Sequence, residues 1–241
     1  MGGPSDALSA AVLPGIWGGL RPLDCERDAR SLFADTHGTD IGQTWVEMKV
    51  GPFPTEADFV KHVAELVADP LRAFFAVVGP DDRAVGWLCL MEASAAHKAI
   101  ELGYVLYAPS IQRTTLATEA FYLIMSHVFD TLGHQRLEWT CTAENARSRR
   151  AADRLGFTFE GVLRSKLILK GVTRDIAVYS LLATEWPDVK RAMRDWLDPS
   201  NFDGGVQRLP MATQRGAGHR GTAASAPGVR DAGNGEANSH L

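Results

Sequence analysis

The residues with the clearest chemical potential in this chain lie between Glu92 and Ser148. Gln112-Arg113-Thr114-Thr115 runs into an apolar stretch, from about Leu116 to Thr131, that reads as a helix. A helix N-terminus offers unpaired backbone N–H groups and partial positive charge, which together suit a diphosphate. Arg113 and the hydroxyls of Thr114 and Thr115 add donors, although the same threonines serve equally well as helix caps. Asn145 and Ser148 open a second helix. There Ser148, Ala151, Ala152 and Leu155 fall at i, i+3, i+4 and i+7, so Ser148 faces inward, while Arg147, Arg150 and Arg154 gather on another face. Read on their own, Asn145 is an N-cap and Ser148 a tolerated small residue. Glu101 lies within one strand-like run and Glu92 at the end of another; the usual fate of such carboxylates is solvation. Tyr104, on the same run as Glu101, is most simply a core aromatic.

Hydrophobic periodicity supplies the elements that must position these groups. Ile16–Leu23 reads as a strand, and Asp24 caps a helix to about Ala34. Asp35–Pro54 is irregular and carries Trp45, Met48 and Phe53, either as the wall of a substrate cleft or as a surface connection pinned by two core aromatics. Thr55 caps a helix through Val67. Phe74–Val78 and Ala84–Met91 form a hairpin over Gly79-Pro80-Asp81-Asp82. Ile100–Tyr107 alternates, with Ile100, Leu102, Tyr104 and Leu106 on one face and Glu101, Gly103, Val105 and Tyr107 on the other. Arg136–Thr142 is a strand, Asn145–Leu155 a helix closed by Gly156, and Phe159–Lys170 with Arg174–Leu182 a hairpin turning at Gly171. Glu185–Leu197 is an amphipathic helix.

The 241 residues, 45% of them hydrophobic, suffice for one sizeable core with extensions. The expected organisation is a flexible arm over 1–15, a domain over 16–183, a helical extension over 184–203 and a disordered tail over 204–241, where Gly, Ala, Ser, Arg and Asn replace the aromatics. A formal charge of −4 gives no basic stripe for nucleic acid. No apolar run reaches membrane-spanning length, and the N-terminal segment lacks the positive n-region of a signal peptide. Three cysteines without CxxC spacing fit a reducing, cytoplasmic setting. The chain has no G-x-S-x-G elbow, P-loop or dinucleotide fingerprint, and His97, His127 and His134 lack metal-ligand spacing.

The order of elements and their wording resemble a known family. A strand leads to Pro109, then come Gln112, Ala117-Thr118-Glu119-Ala120, Asn145-Ala146-Arg147-Ser148 and Arg154-Leu155-Gly156-Phe157. This series is similar to the acyl-CoA N-acyltransferases of the GNAT superfamily, and within it to the RimJ/RimL-like branch, which acetylates ribosomal-protein N-termini. The resemblance implies an α/β fold with a mixed, mainly antiparallel sheet flanked by helices. It implies direct transfer of acetyl from acetyl-CoA to a primary amine, a peptide N-terminus or a small molecule, without a metal, by a monomer or homodimer. It places the CoA pyrophosphate on Gln112, Arg113, Thr114, Thr115, Leu116 and Ala117, with Thr115 where the family's Q-x-x-G-x-G/A loop has glycine. It adds Val105, Leu106 and Tyr107 to the cofactor contacts, pantetheine to Asn145 and a general-acid role to Ser148.

An acceptor amine is mostly protonated at neutral pH, with reference values of ~7.7–8.0 for an α-amino group and ~10.4 for lysine, so a base or water relay must take a proton. Glu101, eleven residues before Gln112, matches the glutamate of histone-type members, and Glu92 is the second candidate. The position at which RimL-like enzymes carry their glutamate is Ser94 here, which leaves both open. Ser148 or Tyr104 would protonate the leaving thiolate. The alternative to an enzyme is a non-catalytic acyl-CoA-binding or interaction module.

Overall fold

A computed structural model describes residues 11–38, 41–204 and 206–211. Local capping sets most of its helices. The Asp24 carboxylate accepts the Arg27 N–H at 2.8 Å at the start of α1 (Cys25–Thr36), and the Thr55 hydroxyl oxygen accepts the Asp58 N–H at 3.2 Å at the start of α3 (Glu56–Val67). Between them α2 (Ile41–Trp45) is a single turn inside the segment expected to be irregular. The later helices are α4 (Thr115–Ser126), α5 (Ala146–Arg154) and α6 (Trp186–Leu197). The long apolar helix does not stay α-helical to Thr131: from His127 it widens into a π-helical turn.

Eight strands, β1 (Leu13–Pro14), β2 (Gly19–Pro22), β3 (Ala73–Val78), β4 (Ala84–Ser94), β5 (Ala99–Tyr107), β6 (Arg136–Thr142), β7 (Thr158–Leu169) and β8 (Val172–Leu182), form one sheet in the order β1-β2-β3-β4-β5-β6-β8-β7. Neighbours are antiparallel except β5 and β6. Lys170 and Gly171 take φ of 47° and 79°, the left-handed pair that closes a two-residue hairpin with the twist of its strands. The fold is thus the expected mixed, mainly antiparallel sheet flanked by helices.

The sheet separates two cores. On one face Ala120, Phe121, Ile124 and Met125 of α4 pack with Leu155 and the α6 residues Trp186, Val189 and Met193 against Phe75, Val77, Leu88, Leu90, Ile100 and Leu102. On the other, Ala29 and Leu32 of α1 and Phe59, Val63 and Leu66 of α3 pack against Phe74, Ala76, Trp87, Cys89, Met91 and Leu106. A buried Arg21 in β2 bridges the Asp28 carboxylate of α1 at 2.7 and 2.8 Å, which satisfies both charges on the second face.

The strand expected at Ile16–Leu23 starts only at Gly19, as β2; the residues before it turn the chain back from β1, with the Gly15 N–H bonded to the Gly18 carbonyl at 2.8 Å, since glycines there favour a reversal over a ladder. Residues 11–15, assigned to a flexible arm, contribute its edge strand β1; residues 1–10 lie outside the described chain. At the other end the expected tail does not start at 204. Val206 and Gln207 (β10) pair with Phe202 and Asp203 (β9), and Asn201 holds Leu209 through its side chain at 2.8 and 3.2 Å. Residues 212–241 lie outside the described chain.

Candidate active site

The parallel pair β5–β6 is joined only at its start. Ala99 stands opposite Arg136, Ile100 opposite Leu137 and Glu101 opposite Glu138, and no ladder joins the strands beyond that. From Leu102 onward the β6-facing edge of β5 is unpaired, while β6 stays paired to β8 as far as Thr142. The result is a gap in the middle of the sheet, bordered by backbone donors and acceptors that another extended chain could pair with.

A bulge in β5 sets which side chains border the gap. Trp87 of β4 stands opposite Leu106 but Cys89 stands opposite Gly103, so β5 carries one extra residue. Tyr104 takes φ of 53° there, and its carbonyl accepts the Trp87 indole N–H at 2.8 Å. The extra residue reverses the alternation. Ile100 and Leu102 belong to the α4-side core, with Val105 and Tyr107 against it, whereas Leu106 and Tyr104 pack on the α1/α3 side. The single alternation expected from Ile100 to Tyr107 therefore fails at Tyr104, because a hydrophobicity pattern does not register one inserted residue.

The turn after β5 leads into α4. Gln112 Nε2–H donates to the Tyr107 carbonyl at 3.1 Å, and the Thr114 hydroxyl donates to the Ile111 carbonyl at 2.7 Å while accepting the Ala117 N–H at 3.2 Å. The left-handed residue of this turn is Arg113, with φ of 66°, and not Thr115, which starts α4 with ordinary backbone. A side chain at 115 therefore costs no backbone strain. The N–H groups of Thr115 and Leu116 precede the first i→i−4 bond and point out of the helix end, in the place expected to take a pyrophosphate. The Tyr107 phenol, pushed up by burial, donates to the Ala117 carbonyl at 3.3 Å and so ties β5 to this helix.

Glu119, one turn further along α4 and only 3% exposed, accepts the backbone N–H groups of Ile16, Trp17 and Gly18 at 2.7, 2.8 and 3.1 Å. Its carboxylate takes the place of strand pairing for the β1–β2 turn. A β-carbon on Gly15 would lie 2.4 Å from that carboxyl group, which explains glycine there.

Ser148 and Glu101 lie on opposite sides of the sheet. The Asn145 side chain accepts the Ser148 N–H at 3.0 Å, so Asn145 is an N-cap, and the Ser148 hydroxyl accepts the indole N–H of buried Trp139 at 2.9 Å on the α4 side. Cys141 adjoins Ser148, its thiol pushed up by burial. On the α1/α3 side the Thr140 hydroxyl donates to Glu101 Oε1 at 2.6 Å. Burial raises the Glu101 carboxyl above its ordinary value; the Thr140 hydrogen bond opposes this, the charges of Glu138 and Glu92 add to it, and Lys49 opposes it. Glu138 itself is paired with Arg136 at 2.7 Å. Glu92 is exposed, with φ of 51°, in the bulged end of β4 beyond the Met91–Glu101 pair. The Tyr104 ring meets Phe74 edge-on at 5.7 Å, under the Arg72 guanidinium at 5.3 Å and Lys49 Nζ at 5.6 Å, and burial raises its phenol. Tyr104 thus shares the face of Glu101 and not that of Ser148.

Sequence reasoning did not single out Trp139, Thr140, Thr142 or Glu47. The Thr142 hydroxyl donates to Glu47 Oε2 at 2.9 Å, which brings the irregular segment 35–54 over β6. That segment is held from behind by Trp45, fully buried and edge-on to Phe53 and Phe59. It is therefore both an anchored connection and a wall beside Glu101. Among the described residues no group of His, Cys, Asp or Glu is arranged to hold a metal ion, and no helix is long and apolar enough to cross a membrane.

Residues 19–158, more than half of the chain, match the family described as Acetyltransferase (GNAT) domain. YoaA of Bacillus subtilis, named an N-acetyltransferase, is 30% identical over 158 residues, 65% of this chain and 89% of its own length. YdaF of the same organism, provisionally named a ribosomal N-acetyltransferase, is 28% identical over 110 residues, 46% of this chain and 60% of its own length. The crystal structure of a GCN5-related N-acetyltransferase from Brucella melitensis superposes with a TM-score of 0.81 at 37% identity, over 83% of this chain and 92% of that one. Mycobacterium smegmatis RimJ, solved with CoA-disulfide, shares the fold at a TM-score of 0.62 and 24% identity, over 73% of this chain and 88% of that one.

Proposed function

The chain belongs to the GNAT acetyltransferase family, and we propose that it moves an acetyl group from acetyl-CoA to a primary amine by direct attack within the gap between β5 and β6. The observation that carries this reading is the gap between β5 and β6, with the Glu101 carboxylate on one face of the sheet and the Ser148 hydroxyl on the other. The likeness to YdaF and the RimJ fold supports a place in the RimJ/RimL-like branch, with a peptide N-terminus or a small amine as acceptor.

In this reading the CoA diphosphate takes the N–H groups of Thr115 and Leu116, with Arg113 beside it, and the pantetheine amides pair with the free edge of β5 near Val105–Tyr107. Asn145 orients α5 so that Ser148 faces the gap. The amine arrives on the Glu101 side. Glu101, its carboxyl raised above the ordinary value by burial and oriented by Thr140, takes a proton directly or through water as nitrogen attacks the thioester carbon. The C–S bond then breaks, the thiolate receives a proton from Ser148, and the second proton of the attacking nitrogen leaves to water, from which the Ser148 hydroxyl is restored. Because the Trp139 N–H occupies a lone pair of that hydroxyl, its own proton is left to point elsewhere. Tyr104, on the far side from Ser148, is not given this role, and exposed Glu92 acts on Glu101 as a neighbouring charge.

Two results are expected. Acetyl-CoA at a hundredfold excess over its Kd should stabilise the protein by about 2.7 kcal/mol, read as a raised thermal midpoint. An unchanged midpoint together with flat titration calorimetry would remove the cofactor from this reading. Ser148→Ala should lower kcat with little change in acetyl-CoA affinity, and less than removal of the base does, since water can replace a hydroxyl donor. Equal turnover of the variant and the wild type would take the proton-donor role from Ser148.

A further inference from the structure

Two threonines on one face of β6 each hold a carboxylate from a different part of the chain. Thr140 donates to Glu101 of β5, and Thr142, only 7% exposed, donates to Glu47 of the segment before Lys49. Residues two apart in a strand project to the same side and stand about 7 Å from each other. The two carboxylates are therefore arrayed along one strand face, on the side from which the amine approaches.

Each of them uses one oxygen in this way. Among the described residues, Oε2 of Glu101 and Oε1 of Glu47 have no hydrogen-bond partner, and neither residue is in an ion pair. The acidic neighbours differ: Glu138 and Glu160 are neutralised by Arg136, and Glu144 faces Arg174 at 4.0 Å. Lys49 lies over the Tyr104 ring and acts on Glu101, and among the described residues no cation stands within ion-pair distance of Glu47. The charge of Glu47 also reaches the thiol of Cys141, next to Thr142 in β6, after burial, the Ser148 hydrogen bond and the opposing charge of Arg149.

Glu47 is not free to swing. Arg147 Nη2 donates to the Gln43 carbonyl at 2.8 Å, Lys170 Nζ donates to the Trp45 carbonyl at 2.8 Å, and the Trp45 indole N–H donates to the Thr36 carbonyl at 3.0 Å. Bonds from α5, from the β7–β8 hairpin and from α1 thus fix the segment around it. A preorganised, unpaired carboxylate at a set distance from the base is a means of discrimination, since it rewards only a substrate that brings a second positive charge to it.

We infer that Glu47 is a specificity-determining residue, which selects acceptors bearing a second cationic group a few carbons from the reacting amine, as in a four- or five-carbon α,ω-diamine. This rests on the acetyl-transfer reading with Glu101 as base. While one nitrogen of the acceptor loses its proton to Glu101, the other stays protonated and donates to Glu47 Oε1.

The test compares 1,4-diaminobutane and 1,5-diaminopentane with butylamine and pentylamine, using the full chain, acetyl-CoA and thiol release. The wild type should favour the diamines in kcat/KM by about 10- to 100-fold, the range of a charge-assisted hydrogen bond. Glu47→Gln keeps an oxygen for Thr142, and therefore the tether, but removes the charge. It should bring the diamine-to-monoamine ratio close to one, mainly through a higher KM for the diamine, with an unshifted thermal midpoint. A purely structural Glu47 would leave the ratio intact in Glu47→Gln, and that result overturns the inference. So does a wild type that acetylates monoamines as well as diamines, which leaves the acetyl-transfer reading standing. Acetyl-CoA binding without acetylation of any amine overturns both.

Discussion

Glu101→Gln should lower kcat by about 10² to 10⁴ while leaving acetyl-CoA binding intact, the loss usual for removal of a general base. The amide keeps the volume of the side chain and an oxygen for the Thr140 hydroxyl, so the bulge at Tyr104 and the parting of the strands have no reason to change. The pH dependence follows from the same burial. The Glu101 carboxyl is raised above its ordinary value, chiefly by desolvation, so kcat/KM should fall as pH drops through that raised value and the carboxylate takes a proton. In Glu101→Gln that acidic limb should vanish. Stability moves the other way. Between the ordinary and the raised value the folded state holds more protons at this site than the unfolded state, so Glu101 costs stability as pH rises through that window and the cost disappears below it. Full activity of Glu101→Gln across the pH range, with loss in Glu92→Gln, would exchange the roles of the two carboxylates.

Glu119→Ala should destabilise the protein by about 2–4 kcal/mol, because three backbone N–H groups lose their acceptor in a part-buried place. For a domain of this size that corresponds to a drop of about 5–15 °C in thermal midpoint. Glu119→Gln, which retains one carbonyl oxygen, should lose less. The midpoint of denaturant unfolding at constant m value measures both variants, and an unchanged midpoint in Glu119→Ala would mean that water replaces the carboxylate at no cost.

What the sequence revealed and what it concealed divide along chain distance. The caps at Asp24, Thr55 and Asn145 and the hairpin at Gly171 were legible because each is settled within a few residues by a side-chain oxygen or a left-handed glycine. The resemblance added roles rather than elements: cofactor contacts for Gln112–Ala117 and Asn145, and proton donation for Ser148. The turn at Gly15–Gly18 was not legible, since its acceptor, Glu119, is about a hundred residues away. Glu47 carried no signal either, because its meaning depends on a threonine 95 residues later. The inserted residue at Tyr104 hid within an otherwise regular alternation and sent Tyr104 to the face opposite that of Ile100 and Leu102. Glu101 is a candidate in the sequence through the resemblance, by its place eleven residues before Gln112, yet its burial and its bond to Thr140 belong to tertiary structure.

The central claim is acetyl transfer to an amine across the gap between β5 and β6, and the direct measurement is product formation. The full chain with acetyl-CoA and a panel of primary amines, extended to peptides with free N-termini, should yield an acceptor heavier by one acetyl group, identified by mass spectrometry, in step with an equal amount of free CoA thiol. Tight binding of acetyl-CoA without any acetylated acceptor, or CoA release unmatched by acetylated amine, would contradict the account and leave an acyl-CoA-binding module in its place.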